Sequence, residues 1–191
     1  MSATRVGRPR SPEADTAILD AATDLFIELG WDGLTMEGVA ARAGVGKATI
    51  YRRYPCKVDL LMAAAERIGE KKGPVPNTGT LRGDLRVLAL NYRRMLTASD
   101  AGRAIPVTLA AASRAPEVCA AHRDYIRERR AESAVVLERA IERGELRDEA
   151  DVGLVLDLLA APLFYRVFVS GEPVDDPYLD SLTEAVVRAC S

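Results

Sequence analysis

The residues of this sequence that are best suited to chemistry are basic, and they form two clusters near the N-terminus. Arg5, Arg8 and Arg10 lie in residues 1–12, which contain no acid. Residues 42–57 also lack acids, and they hold Arg42, Lys47, Arg52, Arg53 and Lys57. Residues 13–41, between the clusters, contain acids and no base. Grouped cations attract anions such as phosphates, so the net charge of -2 does not argue against a nucleic-acid partner.

Two short predicted helices position the second cluster. Thr35 is suited to cap the first of them, and Gly44 ends it. The second is predicted over residues 47–54, because Pro55 forces the chain out of a helix. Two short helices joined by a glycine-containing turn, the second one basic, are typical of a helix-turn-helix over residues 35–54. Such a motif places its second helix in the major groove of DNA.

The outer face of this second helix carries residue types that read DNA. Ile50 and Tyr54 lie one helical turn apart and are predicted to pack inward, which leaves the other side chains mostly outward. Arg52 is suited to pair with guanine, and Thr49 can offer a hydroxyl or methyl group to a base edge. The predicted DNA-binding residues are Thr35, Lys47, Ala48, Thr49, Tyr51, Arg52, Arg53, Lys57, Arg8 and Arg10. The alternative interpretation is a solvated basic face on a surface helix.

Residues 35–57 resemble the DNA-binding motif of the tetracycline-repressor (TetR) family, and the resemblance covers nearly all of residues 12–68. It implies a homodimer that places one recognition helix on each half-site of an inverted-repeat operator in double-stranded DNA. It also implies phosphate contacts from Tyr51, Arg53 and Lys57. This chain departs from the family pattern at three positions where Ser, His and Phe are common, namely Gly46, Arg53 and Tyr54.

The N-terminal cluster has a different pattern. The segment Gly7-Arg8-Pro9-Arg10 is similar to an AT-hook, in which extended arginines enter the narrow minor groove of A·T-rich DNA. We therefore predict that Arg8 and Arg10 contact a minor groove beside the helix-turn-helix site. The alternative interpretation is a solvated terminus, since short basic N-termini are common.

Composition and periodicity predict an all-α protein of about nine helices. Ala, Leu, Glu and Arg dominate and only 5% of residues are aromatic, which favours helices over strands. The first helix is predicted from Pro12 to Gly30 and the fourth from about Lys57. Five more are predicted over residues 84–98, 102–114, 117–143, 150–170 and 176–190. Pro162 should kink or divide the penultimate helix near Ala161.

These elements predict a basic arm (1–11), a DNA-binding domain (12–69), a Pro- and Gly-rich linker (70–83) and a helical ligand-binding and dimerisation domain (84–191). In the last domain, residues 143–147, 158–166 and 171–174 look like one C-terminal subtype of the TetR family, in which the last two helices pair across a two-fold axis. Long apolar faces agree with a partner surface. The predicted interface residues are Val152, Val155, Leu156, Leu159, Leu163, Val167, Leu179, Leu182 and Val186. The alternative for each is the core of one chain.

A ligand cavity is expected among the helices of residues 84–143 and the start of the next helix. A few polar tips among apolar walls orient a small hydrophobic or amphipathic molecule. The candidate lining residues are Tyr92, Met95, Thr108, His122, Tyr125, Phe164 and Tyr165. The alternative for each of them is a plain core position.

Catalysis, a metal and a cofactor are not expected. The single histidine, His122, has no neighbouring set of ligands, and Gly46-Lys47-Ala48 lacks the hydroxyl group of a phosphate-binding loop. Neither a signal-peptide core nor a run of about 18 uncharged apolar residues is evident, so no membrane partner is predicted. Three widely spaced cysteines, Cys56, Cys119 and Cys190, favour the cytoplasm.

The predicted function is that of a repressor that a small-molecule ligand releases from a palindromic operator, and several alternatives to it remain open. A TetR-like protein can act as an activator, or it can regulate without any small ligand. Cys56 lies beside the recognition helix, so a thiol-responsive regulator is a further variant. A module that binds only proteins is separated from all of these by whether the chain retards duplex DNA.

Overall fold

We describe the protein from a computed structural model that covers residues 12–70 and 74–190, with the side chains of residues 68–70 left aside. Within these ranges the chain forms nine α-helices, one short π-helical segment and no strand, which confirms the all-α prediction. The chain divides into two compact units, Met1–Arg67 and Ile68–Ser191. Arg8 and Arg10 of the predicted arm lie outside the described residues.

The first unit contains α1 (Pro12–Gly33), α2 (Met36–Arg42), α3 (Lys47–Arg53) and α4 (Lys57–Glu70). Its largest fully buried side chains come from all four helices and from the α1–α2 connection: Ile18, Phe26, Leu34, Val39, Ile50 and Leu60. Burial of one such side chain contributes about 1.5–3 kcal/mol. Each of these helices is therefore anchored by at least one apolar residue.

Helix α1 is interrupted at Gly30, where the sequence predicts its end. Gly30 has φ 69° and ψ -173°, in a region that glycine adopts at little cost because it lacks a Cβ atom. One more helical turn follows and ends at Gly33, and it buries Trp31, which is 9% exposed. The predicted helix end is thus a break in the helix, and the residues after it are helical.

The second unit contains α5 (Leu81–Thr97), α6 (Asp100–Ala112), α7 (Pro116–Glu142), α8 (Val152–Tyr165), a π-helical segment (Arg166–Ser170) and α9 (Asp176–Cys190). A continuous apolar core joins α5, α7, α8 and α9 through Leu85, Ala89, Val136, Leu137, Ala140, Leu159, Leu163 and Leu179. Helix α5 begins at Leu81 and not near residue 84. The reason is the Thr80 hydroxyl group, which caps the helix by accepting a hydrogen bond from the Gly83 N–H at 3.1 Å.

Pro162 does not divide its helix as predicted. Helix α8 continues through the proline to Tyr165, and the backbone then widens into the π-helical segment, after which Gly171 adopts φ 69°. Proline removes one N–H donor from the helical ladder, and the π-helical segment begins four residues after it. The predicted division of the helix near Ala161 is therefore wrong, while a kink there remains a prediction.

Most residues predicted for the dimer interface lie in the core of a single chain. Six of the nine are at most 3% exposed, namely Val155, Leu156, Leu159, Leu163, Leu179 and Val186. Helices of the same chain cover them, so for these six the prediction is corrected to a core role. Val152, Val167 and Leu182 are half-buried and pack against the same core.

Residues Val152–Ser170 are long and apolar enough to cross a membrane, by length and composition alone. The mean hydropathy of this segment reaches 1.9, and only 22% of its most apolar stretch is buried. The two charged residues of this segment contact other parts of the unit. Asp157 pairs with Arg130, while Arg166 donates a hydrogen bond to the Pro173 carbonyl oxygen at 2.5 Å. The helix is thus partly core and leaves a large apolar surface uncovered in the single chain.

A buried carboxylate fixes the start of α5. Asp84 is 0% exposed and accepts hydrogen bonds from the Thr78 N–H at 2.6 Å and the Thr78 hydroxyl group at 2.8 Å. The Arg143 guanidinium lies 3.4 Å from Asp84 and 2.5 Å from Glu145, which also accepts from the Leu81 N–H at 2.6 Å. Burial raises the pKa of Glu145, but the hydrogen bonds from Leu81 and Arg143 outweigh it and the pKa is lowered. The cluster ties the chain before α5 to the turn after α7.

Replacing Asp84 tests this tie. Asp84→Ala leaves the Thr78 N–H without its acceptor and the Thr78 hydroxyl group with only the Thr80 carbonyl oxygen at 3.2 Å, so we expect the free energy of unfolding to fall by about 2 kcal/mol. Urea denaturation followed by circular dichroism, at one fixed protein concentration, measures the change. Asp124→Ala removes only an exposed pair with Arg127 and should cost less than about 0.5 kcal/mol. Equal losses in the two variants would contradict the structural role of Asp84.

Candidate nucleic-acid interface

Helix α2 begins at a capping threonine. Thr35 has an extended backbone, and its Oγ1 accepts a hydrogen bond from the Gly38 N–H at 3.0 Å. Such a cap stabilises a helix by about 1 kcal/mol. A Cβ atom at position 38 would lie only 3.0 Å from this Oγ1, so the glycine leaves room for the cap. A hydroxyl group that accepts one bond retains a proton to donate, which fits the predicted phosphate contact.

The turn between α2 and α3 is closed by backbone hydrogen bonds. Gly44 adopts φ 67° and its N–H donates to the Ala41 carbonyl oxygen at 3.3 Å, while the Val45 N–H donates to Ala40 at 3.0 Å. This pair of bonds is the Schellman pattern that ends helices at a glycine. Gly46 precedes α3 and provides no side-chain cap. The backbone alone therefore sets the turn, and the serine common at position 46 in the family is not required.

Helix α3 presents a short exposed face of mixed chemistry. Ile50 is its one buried residue, at 0% exposed, and it fixes the helix on the first unit. Thr49 is half-buried, and the exposed side chains are those of Lys47, Ala48, Tyr51 and Arg52. Among the residues that the structure describes, the Arg52 guanidinium has no hydrogen-bond or ion-pair partner. Arg52 is therefore the cation of this face that is ready for an external acceptor.

Two of the predicted phosphate contacts are already engaged with α1. The Arg53 guanidinium pairs with the Asp15 carboxylate, and the Arg53 side chain is only 14% exposed, so the prediction that it points outward is wrong. The Lys57 ammonium donates to the Trp31 carbonyl oxygen at 2.9 Å and lies 3.9 Å from the centroid of the Trp31 ring. These two cations position α3 and α4 on α1. Their contacts with phosphate remain predictions.

The acids of residues 13–41 lie against the bases of residues 42–57. Arg42 pairs with Glu28 at 2.8 Å, and the Lys47 ammonium lies 3.7 Å from Glu37. With the pair formed by Asp15, three of the five bases have an acidic partner. Charges that are segregated along the sequence are thus matched in space. The sequence motif assigns these acids no role. The feature of the sequence that points to them is the absence of any base in residues 13–41, so that these acids can pair with the bases that follow.

Tyr51 belongs to the same network. Its hydroxyl group donates to the Glu37 carboxylate at 3.2 Å. The pKa of Glu37 is lowered mainly by a hydrogen bond from the backbone N–H of Glu37 itself. Burial opposes this shift, and the contacts with Tyr51 and Lys47 lower the pKa further. Burial and the Glu37 charge raise the pKa of Tyr51. At neutral pH the carboxylate is therefore ionised and the hydroxyl group protonated, as their hydrogen bond requires.

Tyr92 and Met95 are the predicted ligand-binding residues that lie together at a cavity. The cavity has a volume of about 70 Å³ and is lined by Pro74, Val75, Pro76, Leu88, Asn91, Tyr92, Met95, Glu132 and Ser133. The Tyr92 hydroxyl group is 3.5 Å from that of Ser133. Pockets for drug-sized ligands measure roughly 300–1,000 Å³, so this one must open to admit such a molecule.

The other five candidates do not line this cavity. The Thr108 hydroxyl group donates to a carbonyl of its own helix at 2.9 Å, and burial lowers the pKa of His122. The Tyr125 ring lies 5.7 Å from a guanidinium of its own helix. Phe164 packs against the core, whereas Tyr165 is 59% exposed. Among the described residues, no group of three or more His, Cys, Asp or Glu side chains could hold a metal ion.

Two family models match the chain. The model of bacterial regulatory proteins of the tetR family matches residues 18–64, which include α2, α3 and the turn between them. The model of the tetracyclin repressor-like C-terminal domain matches residues 75–186. The matches therefore cover most of both units, and the second alone spans more than half of the chain.

Whole-length relatives agree with these matches. The chain is 35% identical over 177 residues to the uncharacterized HTH-type transcriptional regulator YdeS of Bacillus subtilis (strain 168), covering 92% of this chain and 89% of YdeS. It is 32% identical over 185 residues to the DNA-binding transcriptional repressor TetR of Mycobacteroides abscessus, covering 93% and 94%. The crystal structure of the TetR family transcription regulator SCO0332 is similar with a TM-score of 0.74 and 29% identity, over 94% of this chain and 99% of that one. The chain belongs to the TetR family of DNA-binding transcriptional regulators.

Proposed function

We propose that this regulator represses transcription as a homodimer on an inverted-repeat operator and that a small hydrophobic or amphipathic molecule releases it. The observation that carries the proposal is the exposed face of α3. On this face the Arg52 guanidinium has no partner among the described residues. Family members act as dimers on operator DNA, and the relative from Mycobacteroides abscessus is named as a repressor. These findings support repression by occupancy of an operator, in the cytoplasm.

Helix α3 enters the major groove in this proposal. Arg52 donates to O6 and N7 of a guanine, while Ala48 and Thr49 approach neighbouring base edges. Thr35, Lys47 and Tyr51 contact phosphates, which fix the register without reading the sequence. Arg53 and Lys57 hold α3 and α4 on α1 in the free protein, and in this proposal they also reach phosphates when DNA binds. The helix-turn-helix domain of residues 12–69 thus separates base reading from positioning.

The basic arm of residues 1–11 extends this contact. We propose that Arg8 and Arg10 enter an adjacent minor groove, as the AT-hook-like sequence suggests. Removing residues 1–10 should then lower operator affinity and make its salt dependence shallower, because phosphate-neutralising cations are lost. Titration of a labelled operator duplex at several salt concentrations measures both, and unchanged values would contradict a role for the arm.

The dimer forms through an exposed apolar stripe on α8 and the π-helical segment. The stripe consists of Leu154, Leu158, Ala161, Tyr165 and Val169, which recur at three- and four-residue steps and so share one face. Its large members are 40% to 70% exposed. Apolar surface of this extent on a soluble protein indicates a partner. Two-fold pairing of the stripe covers it and supplies the two α3 helices that an inverted repeat requires.

The cavity beside Tyr92 and Met95 is the proposed site of the releasing molecule. Residues of the helical domain of residues 84–191 line it, and the segment Pro74 to Pro76 completes the lining. Its apolar walls and its Tyr92, Ser133 and Glu132 tips suit an amphipathic compound. Such a compound weakens DNA binding only if it prefers a conformation with lower DNA affinity. Among compounds that raise the Tm of the free protein, we therefore expect some to release bound operator, and a set of such compounds in which none does would contradict this step.

Base reading by Arg52 is tested by substitution. Arg52→Ala should lower operator affinity about 10- to 100-fold and relax the preference at one position of each half-site, because a bidentate pair with guanine is lost. Arg52→Lys keeps the positive charge but loses the two parallel N–H donors of the guanidinium. Its affinity for a duplex of random sequence should therefore stay near that of the wild type, while its preference for the operator falls. Sequencing of duplexes selected from a random library measures the preference. Identical profiles for wild type and Arg52→Ala would rule out base reading by this residue.

The stripe on α8 is tested by charge. Leu158→Glu places two carboxylates at a two-fold contact and should weaken dimerisation by at least about tenfold, without unfolding the chain, since Leu158 is 40% exposed. Leu109→Glu on α6, at a residue that is 50% exposed, is the matched control and should leave the dimer intact. Sedimentation equilibrium measures both. A Leu158→Glu protein that dimerises like wild type would show that the interface lies elsewhere.

A further inference from the structure

The carboxylate of Glu37 lies on the surface of α2, beside the exposed face of α3. Its Oε1 accepts a hydrogen bond from the Tyr51 hydroxyl group at 3.2 Å and lies 3.7 Å from the Lys47 ammonium. The Lys47 and Glu37 side chains are 69% and 47% exposed. An acid therefore occupies the surface on which two residues of α3 are proposed to meet DNA phosphates.

The first unit holds α3 in place by other contacts. Ile50 is fully buried, Gly44 closes the turn before the helix, and Arg53 pairs with Asp15 at its end. Helix α2 has its own cap in Thr35. The contacts of Glu37 with Tyr51 and Lys47 are exposed, and exposed pairs contribute little to stability. Their main consequence is to occupy the donor groups of α3.

A carboxylate and a phosphate offer the same kind of acceptor to a hydroxyl group and an ammonium group. Both are anions whose oxygens take short, charge-assisted hydrogen bonds. A DNA phosphate that approaches this face competes with Glu37 for the Tyr51 hydroxyl proton and for the Lys47 charge. The DNA must also tolerate the Glu37 charge near its own phosphates, and like charges at this range repel. Either way, the carboxylate opposes binding.

We propose that Glu37 is an affinity-limiting residue of the DNA-binding surface, which in the free protein takes the place of a DNA phosphate toward Tyr51 and Lys47. The inference rests on the proposed role of α3 in DNA binding. Because phosphates are the same in every duplex, the effect lowers affinity for all sequences alike. Glu37 thus sets the absolute affinity and its salt dependence, and it leaves the preference for the operator to Arg52 and Thr49.

A purely structural role for Glu37 makes a different prediction. An acid in the first turn of a helix interacts favourably with the free N–H groups there. If that were its only role, removing the charge would lower the Tm and would not strengthen DNA binding. The affinity for DNA therefore separates the two roles.

Glu37→Gln is the direct test, because glutamine keeps the size and an acceptor oxygen but removes the charge. We expect the affinity of the full-length variant for a random-sequence duplex to rise about 3- to 10-fold at low salt. The slope of log affinity against log salt should steepen by up to about 0.9, and the full value is expected where Glu37 still holds Lys47 in the wild-type complex and the variant frees it for one more phosphate. An operator duplex selected by the wild-type protein should show a similar gain.

Asp32→Asn is the matched control. It removes one exposed acid from the same unit, and within the described part of the chain Asp32 has no hydrogen bond or ion pair. Its effect on affinity should stay below about twofold in moderate salt, because Asp32 holds neither the Tyr51 hydroxyl group nor the Lys47 ammonium, and screening weakens the charge of an exposed acid. A Glu37→Gln protein that matches wild type or Asp32→Asn in affinity and slope overturns the inference. Failure of the wild-type protein to bind any duplex would overturn the proposed function, and this inference with it.

Discussion

The surface that we propose for DNA is shaped by the acids that already hold the cations of α3 and α4. The acids of residues 13–41 and the phosphates of DNA are both anionic, and each cation near α3 can serve one or the other. Two unit charges about 4 Å apart interact by about 1 kcal/mol in water and several times more in a partly buried place. Arg53, at 14% exposed, is therefore held more firmly by Asp15 than the 69% exposed Lys47 is held by Glu37. Burial thus grades the basic residues by how readily each could exchange its acid for a phosphate in the proposed complex.

A second constraint is set by the apolar helix α8. One of its faces completes the core through Leu159 and Leu163, and the opposite face exposes Leu158 and Tyr165. A helix that is apolar on both faces is stable in water when both faces are buried, and the single chain buries only one face of α8. In the proposed dimer, a two-fold partner covers the other face and at the same time presents two recognition helices. The burial that α8 requires and the symmetry that an inverted repeat requires would then be met by the same contact.

The sequence predicted the features that local residues determine. Thr35, Gly44 and Pro55 mark helix ends through their own chemistry, so the helix-turn-helix and its exposed residues followed from the motif. The role of Arg53 did not, because its partner Asp15 is 38 residues away and charge counts along the chain carry no distances. The sequence also could not separate the core-facing side of α8 from its exposed side. Apolar residues occur on all sides of this helix, so its hydrophobicity shows no helical period that marks one face. The start of α5 was placed late because composition marked residues 70–83 as linker, while the Thr80 cap and the Asp84 cluster order its last part.

We propose that two α3 helices, held by one symmetric contact, read successive major grooves of one duplex. This arrangement is tested by sequencing the genomic fragments that the purified protein selects and by counting the chains bound to each fragment. The expected result is an enriched inverted repeat with half-site centres about 34–36 Å apart, or somewhat more, and at least two chains on each fragment. Fragments without a shared inverted repeat, or a single half-site bound by one chain, would contradict it.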